Sequence, residues 1–154
     1  LHTAYRRQRQ MCIRDSIYYS ASGAPAQEGY EQVDFETLLT LSDIISVHAP
    51  LNEHTEGLIN SKAFEKMKSS CIFLNLGRGP IVDEQALYNA LVKNQIAAAG
   101  LDVLCKEPMS ADNPLLKIKD SKRLLITPHI AWASVEARTH LMEIIHGQVK
   151  DFFA

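Results

Sequence analysis

Five short apolar runs, each closed by a glycine, proline or polar loop and followed by a helical pattern, constrain this chain more than any other feature. The runs are Ile17–Ser20, Asp43–His48 (DIISVH), Cys71–Leu76 (CIFLNL), Ala97–Val103 (AAAGLDV) and Leu124–Thr127. Between them lie amphipathic segments. Asp34 is placed to cap a helix over Phe35–Leu41, with Glu36 and Thr37 in its first turn. Ser61 precedes KAFEKMK, where Ala63, Phe64 and Met67 share one helical face and Glu65 and Lys66 face water. Asp83 caps a helix to about Val92 that points Ala86, Leu87, Ala90 and Leu91 inward. Asn113–Leu116 suggests a short helical turn. Ser134 opens a long amphipathic helix to about Phe153, with Val135, Leu141, Ile145, Val149 and Phe152 expected on its buried side. Short β-rich runs alternating with helices predict parallel βαβ units, hence an open α/β sheet. The runs are apolar throughout, which predicts strands covered on both faces.

Composition narrows the function. A chain of 154 residues fits one domain with a real core. Its 16 basic and 18 acidic side chains create no global field for nucleic acid or an anionic membrane. No apolar run approaches the roughly 20 residues that span a bilayer, and no apolar stretch follows the N-terminal arginines as in a signal peptide. Cys12, Cys71 and Cys105 are far apart and lack metal or disulfide spacing, so no metal site is expected and a reducing cytoplasm is the expected location. The other histidines (His2, His48, His54, His140, His146) also lack ligand spacing. Residues 1–16, with four arginines and no sustained period, read as an unstructured or foreign segment in preference to a basic arm for nucleic acid. That leaves 17–154 as the folded unit.

In open α/β sheets, ligands bind outside the carboxyl ends of the strands. There this chain reads VHAPLNEHT, NLGRGPIVD, LDVLCKEP and TPHIAWAS. Arg78 lies between two glycines, which would let the backbone approach a ligand, and its guanidinium can grip a carboxylate with two parallel hydrogen bonds. Glu107, alone, reads as a surface glutamate before Pro108. His129, after Pro128, is either core filler or an acid/base. If the two are neighbours, the carboxylate fixes the imidazole tautomer and makes a proton donor suited to neutral pH. Asp102 ends a strand of small residues and either accepts from a ligand amide or caps the following loop. Trp132 either walls a pocket or packs in the core.

Together these segments resemble the cofactor domain of the D-isomer-specific 2-hydroxyacid dehydrogenases, from Ile17 to the C-terminus. NLGRGPIVDEQAL is similar to the family signature around its substrate-binding arginine, LDVLCKEP to that around its glutamate, and TPHIAW to that around its histidine. HIAWAS is similar to the glycerate dehydrogenase/hydroxypyruvate reductase branch. The resemblance implies an incomplete Rossmann-like doubly wound parallel sheet lacking its first βα unit. It also implies hydride transfer between NAD or NADP and a small 2-oxo/2-hydroxy acid. Arg78, Glu107 and His129 would be the catalytic residues. Ala49, Pro50, Thr55, Leu76, Gly77, Arg78, Asp102, His129 and Ala131 would border the cofactor, with Asp102 holding its carboxamide. A homodimer of the full-length protein is implied too.

Two departures qualify that expectation. The GxGxxG loop that lays a pyrophosphate on a helix N-terminus should precede Ile17 by one helix, and no such motif occurs. The chain, a C-terminal fragment on this reading, is expected to bind dinucleotide poorly and turn over little. Ser20 stands where NAD enzymes carry an acid for the ribose hydroxyl, with no following arginine for a phosphate, so weak NAD/NADP discrimination is expected. Two competing readings follow. A dinucleotide-sensing scaffold would not need the Arg78, Glu107 and His129 trio, and a formate dehydrogenase-like enzyme would carry glutamine at 107.

Overall fold

The computed structural model describes residues 16–153. The expectation for residues 1–16 therefore lies, apart from Ser16, outside the described residues. Elements follow in the order β1 (Ile17–Tyr18), β2 (Glu31–Gln32), α1 (Phe35–Leu41), β3 (Ile44–Val47), α2 (Ser61–Lys66) and β4 (Ile72–Asn75). After a 3-10 turn at Gly79–Ile81 come α3 (Glu84–Val92), β5 (Ala98–Leu101), a second 3-10 turn at Pro114–Lys117, β6 (Leu124–Ile126) and α4 (Val135–Phe152). Strands β3, β4, β5 and β6 form a parallel sheet in sequence order, and β1 pairs with β2 in a separate parallel ribbon. The predicted α/β class and parallel sheet are observed. No apolar signal in the sequence marks β2, which is a Glu-Gln pair.

Local chemistry sets the helix boundaries. Asp34 caps α1 by accepting from the Thr37 amide, and Asp83 caps α3 by accepting from the Gln85 and Ala86 amides. Ser134 caps α4 through the Ala137 amide. The α2 cap is Asn60, one residue before the Ser61 that the sequence pattern favoured, accepting from Lys62 and Ala63. Asn60 holds an extended backbone while Ser61 is already helical, and the side-chain amide oxygen of Asn60 reaches both orphan donors.

The register explains the core. Ile45, Phe73 and Ala99 lie side by side, and the row Asn75–Leu101 lies two residues on along the same face. This face packs on α2 and α3, burying Phe64, Ala63, Ala86, Leu87, Ala90 and Leu91 as predicted. Phe64 meets Phe73 edge-on, ring centres 5.5 Å apart, a favoured aromatic geometry. The opposite face differs from the prediction of strands covered on both sides. Ile44 (61% exposed), Ile72 and Leu125 (62%) face outward, because no described element packs over them. The same correction applies to α4. Val135, Leu141, Ile145, Val149 and Phe152 have the expected amphipathic spacing, yet all are exposed, Phe152 at 82%. A periodic pattern marks a face built to be covered and does not name its cover.

Arg123 braces the end of the sheet opposite the strands' carboxyl ends. It donates to the carbonyls of Leu91, Ile96 and Ala97 and to Asn94 Oδ1, all within 3.1 Å. The guanidinium thus adds donors where α3 ends and β5 begins, one of them to the Leu91 carbonyl that also accepts from the Asn94 amide. Arg123→Met should lower unfolding free energy by about 2 kcal/mol, leaving several carbonyls half-satisfied. Chemical denaturation would measure it, and an unchanged midpoint would refute this bracing role.

Candidate active site

Because β3 to β6 are parallel and adjacent, their carboxyl ends form one edge. Ala49 and Pro50 leave β3, Leu76 to Gly79 leave β4, Asp102 leaves β5, and Thr127 to Ala131 leave β6. The sheet therefore gathers the candidate residues of four separate segments along that edge.

The turn after β4 is organised from inside. Asn75 is buried, its Oδ1 accepting from the Gly77 amide and its Nδ2 donating to the Arg78 carbonyl. Sequence reasoning missed Asn75, although an asparagine at a strand end before glycine is the available signal. The two glycines admit neighbouring protein backbone, where a ligand was expected. A Cβ on Gly77 would stand 2.9 Å from the Ala49 carbonyl oxygen, and one on Gly79 would overlap the Leu104 carbonyl group at 2.0 Å. The segments carrying Ala49, Arg78 and Leu104 are thus in direct contact. Arg78 is exposed, its guanidinium resting on the Gly77 carbonyl at 2.9 Å.

Glu107 and His129 come together. His129 Nδ1 lies 2.9 Å from Glu107 Oε2, and the Leu104 amide donates to Glu107 Oε1 at 2.9 Å. A carboxylate only accepts, so Nδ1 carries the hydrogen and Nε2 is the nitrogen left for chemistry. The Leu104 amide, followed by His129, holds the Glu107 carboxyl below its ordinary value. The core-filler reading of His129 is excluded by its half-exposed side chain.

His129 has φ 55°, in the left-handed region, which costs a non-glycine residue roughly 1–3 kcal/mol and persists only when surroundings enforce it. The enforcing group is Asp102. Only 4% exposed, it accepts from the Thr127 hydroxyl at 2.5 Å, the Ile130 amide at 2.9 Å and the Ala131 amide at 2.8 Å. Trp132 Nε1 adds a bond to the His129 carbonyl at 2.8 Å. Trp132 is 57% exposed, which removes the core-packing alternative for it. Burial pushes the Asp102 carboxyl up, but the bonds from Thr127, Ala131 and Ile130 together outweigh it and hold the group below its ordinary value.

On the β3 side, Thr55 is buried and its hydroxyl donates to the Pro50 carbonyl at 2.7 Å, so its hydrogen bonding shapes the loop. Pro50 and Leu76 are exposed along the edge. Ser20 follows β1 and its hydroxyl meets that of Ser22 at 3.1 Å.

Both depressed carboxyls release their protons more readily folded than unfolded. Their stabilisation is therefore complete above the ordinary values of 3.8 and 4.5 and is lost as pH falls through the lower folded values. Unfolding free energy should decline below pH 4.5. Asp102→Asn should cost about 1–3 kcal/mol at pH 7, because its amide faces donors, and should flatten the acid slope. Denaturation followed across pH tests this; an identical acid slope in the variant would refute it.

Residues 5–131 match the model of the D-isomer specific 2-hydroxyacid dehydrogenase, NAD binding domain. A hydroxypyruvate reductase from Blautia hydrogenotrophica is 44% identical over 138 residues, covering 88% of this chain and 42% of the relative. Among solved structures, an acyclic imino acid reductase (Bsp5) in complex with NADPH and D-Arg aligns with TM-score 0.79 and 35% identity, covering 90% of this chain and 43% of that one. D-lactate dehydrogenase with NAD+ from Lactobacillus jensenii aligns at TM-score 0.71 and 35% identity, covering 84% and 42%. The chain spans less than half the length of each of these relatives. Matched across most of its length, it belongs to the D-isomer specific 2-hydroxyacid dehydrogenase family, within the NAD binding domain.

Proposed function

We propose that this chain carries the acid/base and cofactor-facing part of an oxidoreductase that interconverts small 2-oxo and D-2-hydroxy acids using NAD(H) or NADP(H). The observation that carries the reading is the Glu107–His129 pair, 2.9 Å apart at the carboxyl edge of a parallel sheet. A carboxylate-oriented histidine in an enforced left-handed conformation is a group held for chemistry.

The edge fits a dinucleotide in part. Exposed Pro50, Leu76 and Arg78 border it, and Ala49 and Gly77 keep the first two loops in contact. Ala131 and Asp102 border the β6 side, where Asp102 is the candidate to hold a carboxamide through lone pairs beyond those its three donors use. The chain has no glycine-rich loop for the pyrophosphate, so weak binding by the chain alone is expected. When bound, the reduced nicotinamide supplies a hydride to the carbonyl carbon of the 2-oxo acid.

The protein's own residues do the rest. Arg78 binds the substrate carboxylate through paired hydrogen bonds. His129 gives the proton on Nε2 to the carbonyl oxygen as it becomes a hydroxyl, and takes it back in the reverse direction. Glu107 stabilises the imidazolium and keeps Nδ1–H turned away from substrate. Hydroxypyruvate and glyoxylate are the proposed substrates, on the HIAWAS sequence and the hydroxypyruvate reductase relative. We place the folded unit at 17–154, as a partial cofactor domain with its C-terminal helix. The full-length protein is proposed as a homodimer that binds neither nucleic acid nor membrane. No helix among the described residues is long and apolar enough to cross a membrane, and free Cys71 and Cys105 suit a reducing cytoplasm.

The test joins this chain to the part of the Blautia hydroxypyruvate reductase that it does not match. NADH and NADPH oxidation is then followed with hydroxypyruvate, glyoxylate and pyruvate. His129→Ala should lower kcat/KM on the order of 10²–10⁴-fold, and Arg78→Ala should mainly weaken capture of the acid. NADH and NADPH should serve comparably, given Ser20. Dinucleotide binding without turnover, unaffected by either substitution, would favour the sensing scaffold.

A further inference from the structure

The loop that carries Glu107 leaves β5 and runs over the Arg78 turn to the 3-10 turn at Pro114–Lys117. It has no regular structure of its own, yet it must hold one carboxylate in a fixed place. Beside the Cys105 thiol, which donates to the Val82 carbonyl at 3.5 Å, its charged anchor is Glu84, the first residue of α3. Glu84 Oε1 accepts from the Cys105 amide at 2.7 Å, and Oε2 accepts from Asn113 Nδ2 at 2.7 Å. Asn113 in turn caps the 3-10 turn through the Leu115 amide at 2.9 Å. One carboxylate thus fastens both ends of the loop to the start of α3. At the near end, Leu104 and Cys105 are consecutive. The Leu104 amide donates to Glu107 Oε1 while the Cys105 amide donates to Glu84. Beneath them, Gly79 leaves no room for a Cβ against the Leu104 carbonyl, so the loop sits directly on the Arg78 turn.

We propose that Glu84 is a positioning residue, whose carboxylate fixes the Leu104–Cys105 backbone and so sets Glu107 against His129. Its consequence for turnover rests on the function proposed above; its consequence for geometry does not. A competing account is that Glu84 only complements the positive end of α3, as any acid in a first turn does.

Two variants and a rescue separate these accounts. Glu84→Asp keeps the charge at the helix start but is a methylene too short to reach both partners. Glu84→Gln keeps the length but turns its amide donor toward the Asn113 amide donor. Adding Asn113→Asp to Glu84→Gln reverses that bond, so glutamine donates to aspartate and still accepts from Cys105. Carbon-13 NMR on the 154-residue chain would read the titration of the Glu107 carboxyl, which the Leu104 amide and His129 hold low. His129 and Asp102, the other charged groups around it, are unchanged in every variant. We expect Glu107 to titrate closer to its ordinary value in both single variants and to return in the double variant. In the joined enzyme, kcat should fall by up to about 10²-fold with KM little changed, and should recover in the double variant. A folded Glu84→Asp or Glu84→Gln chain whose Glu107 titrates as in the parent would overturn the proposal. If the titration moves and is rescued while the joined enzyme is inactive throughout, the positioning role stands and the function reading fails.

Discussion

The buried Asp102 carboxylate is the interaction on which the site depends. It sits at the end of β5 and takes three hydrogen bonds from the segment leaving β6. Two of these come from the backbone amides of Ile130 and Ala131, which follow His129. A carboxylate in a poorly solvated place is costly unless its lone pairs are met, and here the donors that meet them are the turn itself. The same bonds that make the buried charge tolerable hold His129 in a backbone conformation it would not choose.

Carboxylates recur as internal ties around this edge. Asp102 fastens the histidine turn to β5, Glu107 joins that turn to its own loop, and Glu84 joins the loop to α3. Asn75 and the two glycines do the equivalent work in the turn that bears Arg78. In these loops directed bonds from charged acceptors act beside the packing of Ile81, Val82, Val103 and Leu115, all buried. The core below is of the other type. Phe64, Phe73, Leu87 and Leu91 are packed between the sheet and two helices and supply a rigid base.

Much of the fold was legible because its signals are local. Asp34, Asp83 and Ser134 announced their helices, since a cap acts within three residues. The inward faces of α2 and α3 followed from spacing alone. What failed depended on neighbours. The stripe on α4 and the outward row of Ile44, Ile72 and Leu125 read as buried, and in this structure nothing described lies over them. Arg123 and Glu84 gave no signal, because their partners stand more than twenty residues away in the chain.

By itself the sequence determined the class of fold, the strand ends where chemistry collects, and the residue types found there. Those follow from periodicity, capping and the chemistry of individual side chains, which are properties of short stretches. Only the tertiary structure decided that Glu107 and His129 meet, that Asp102 turns inward to hold the histidine turn, and that Gly77 and Gly79 admit backbone. It also decided that Thr55 spends its hydroxyl on its own loop. Hydrogen bonds and close approaches reach only a few ångströms, so which groups share one is set by how four parallel strands align their ends.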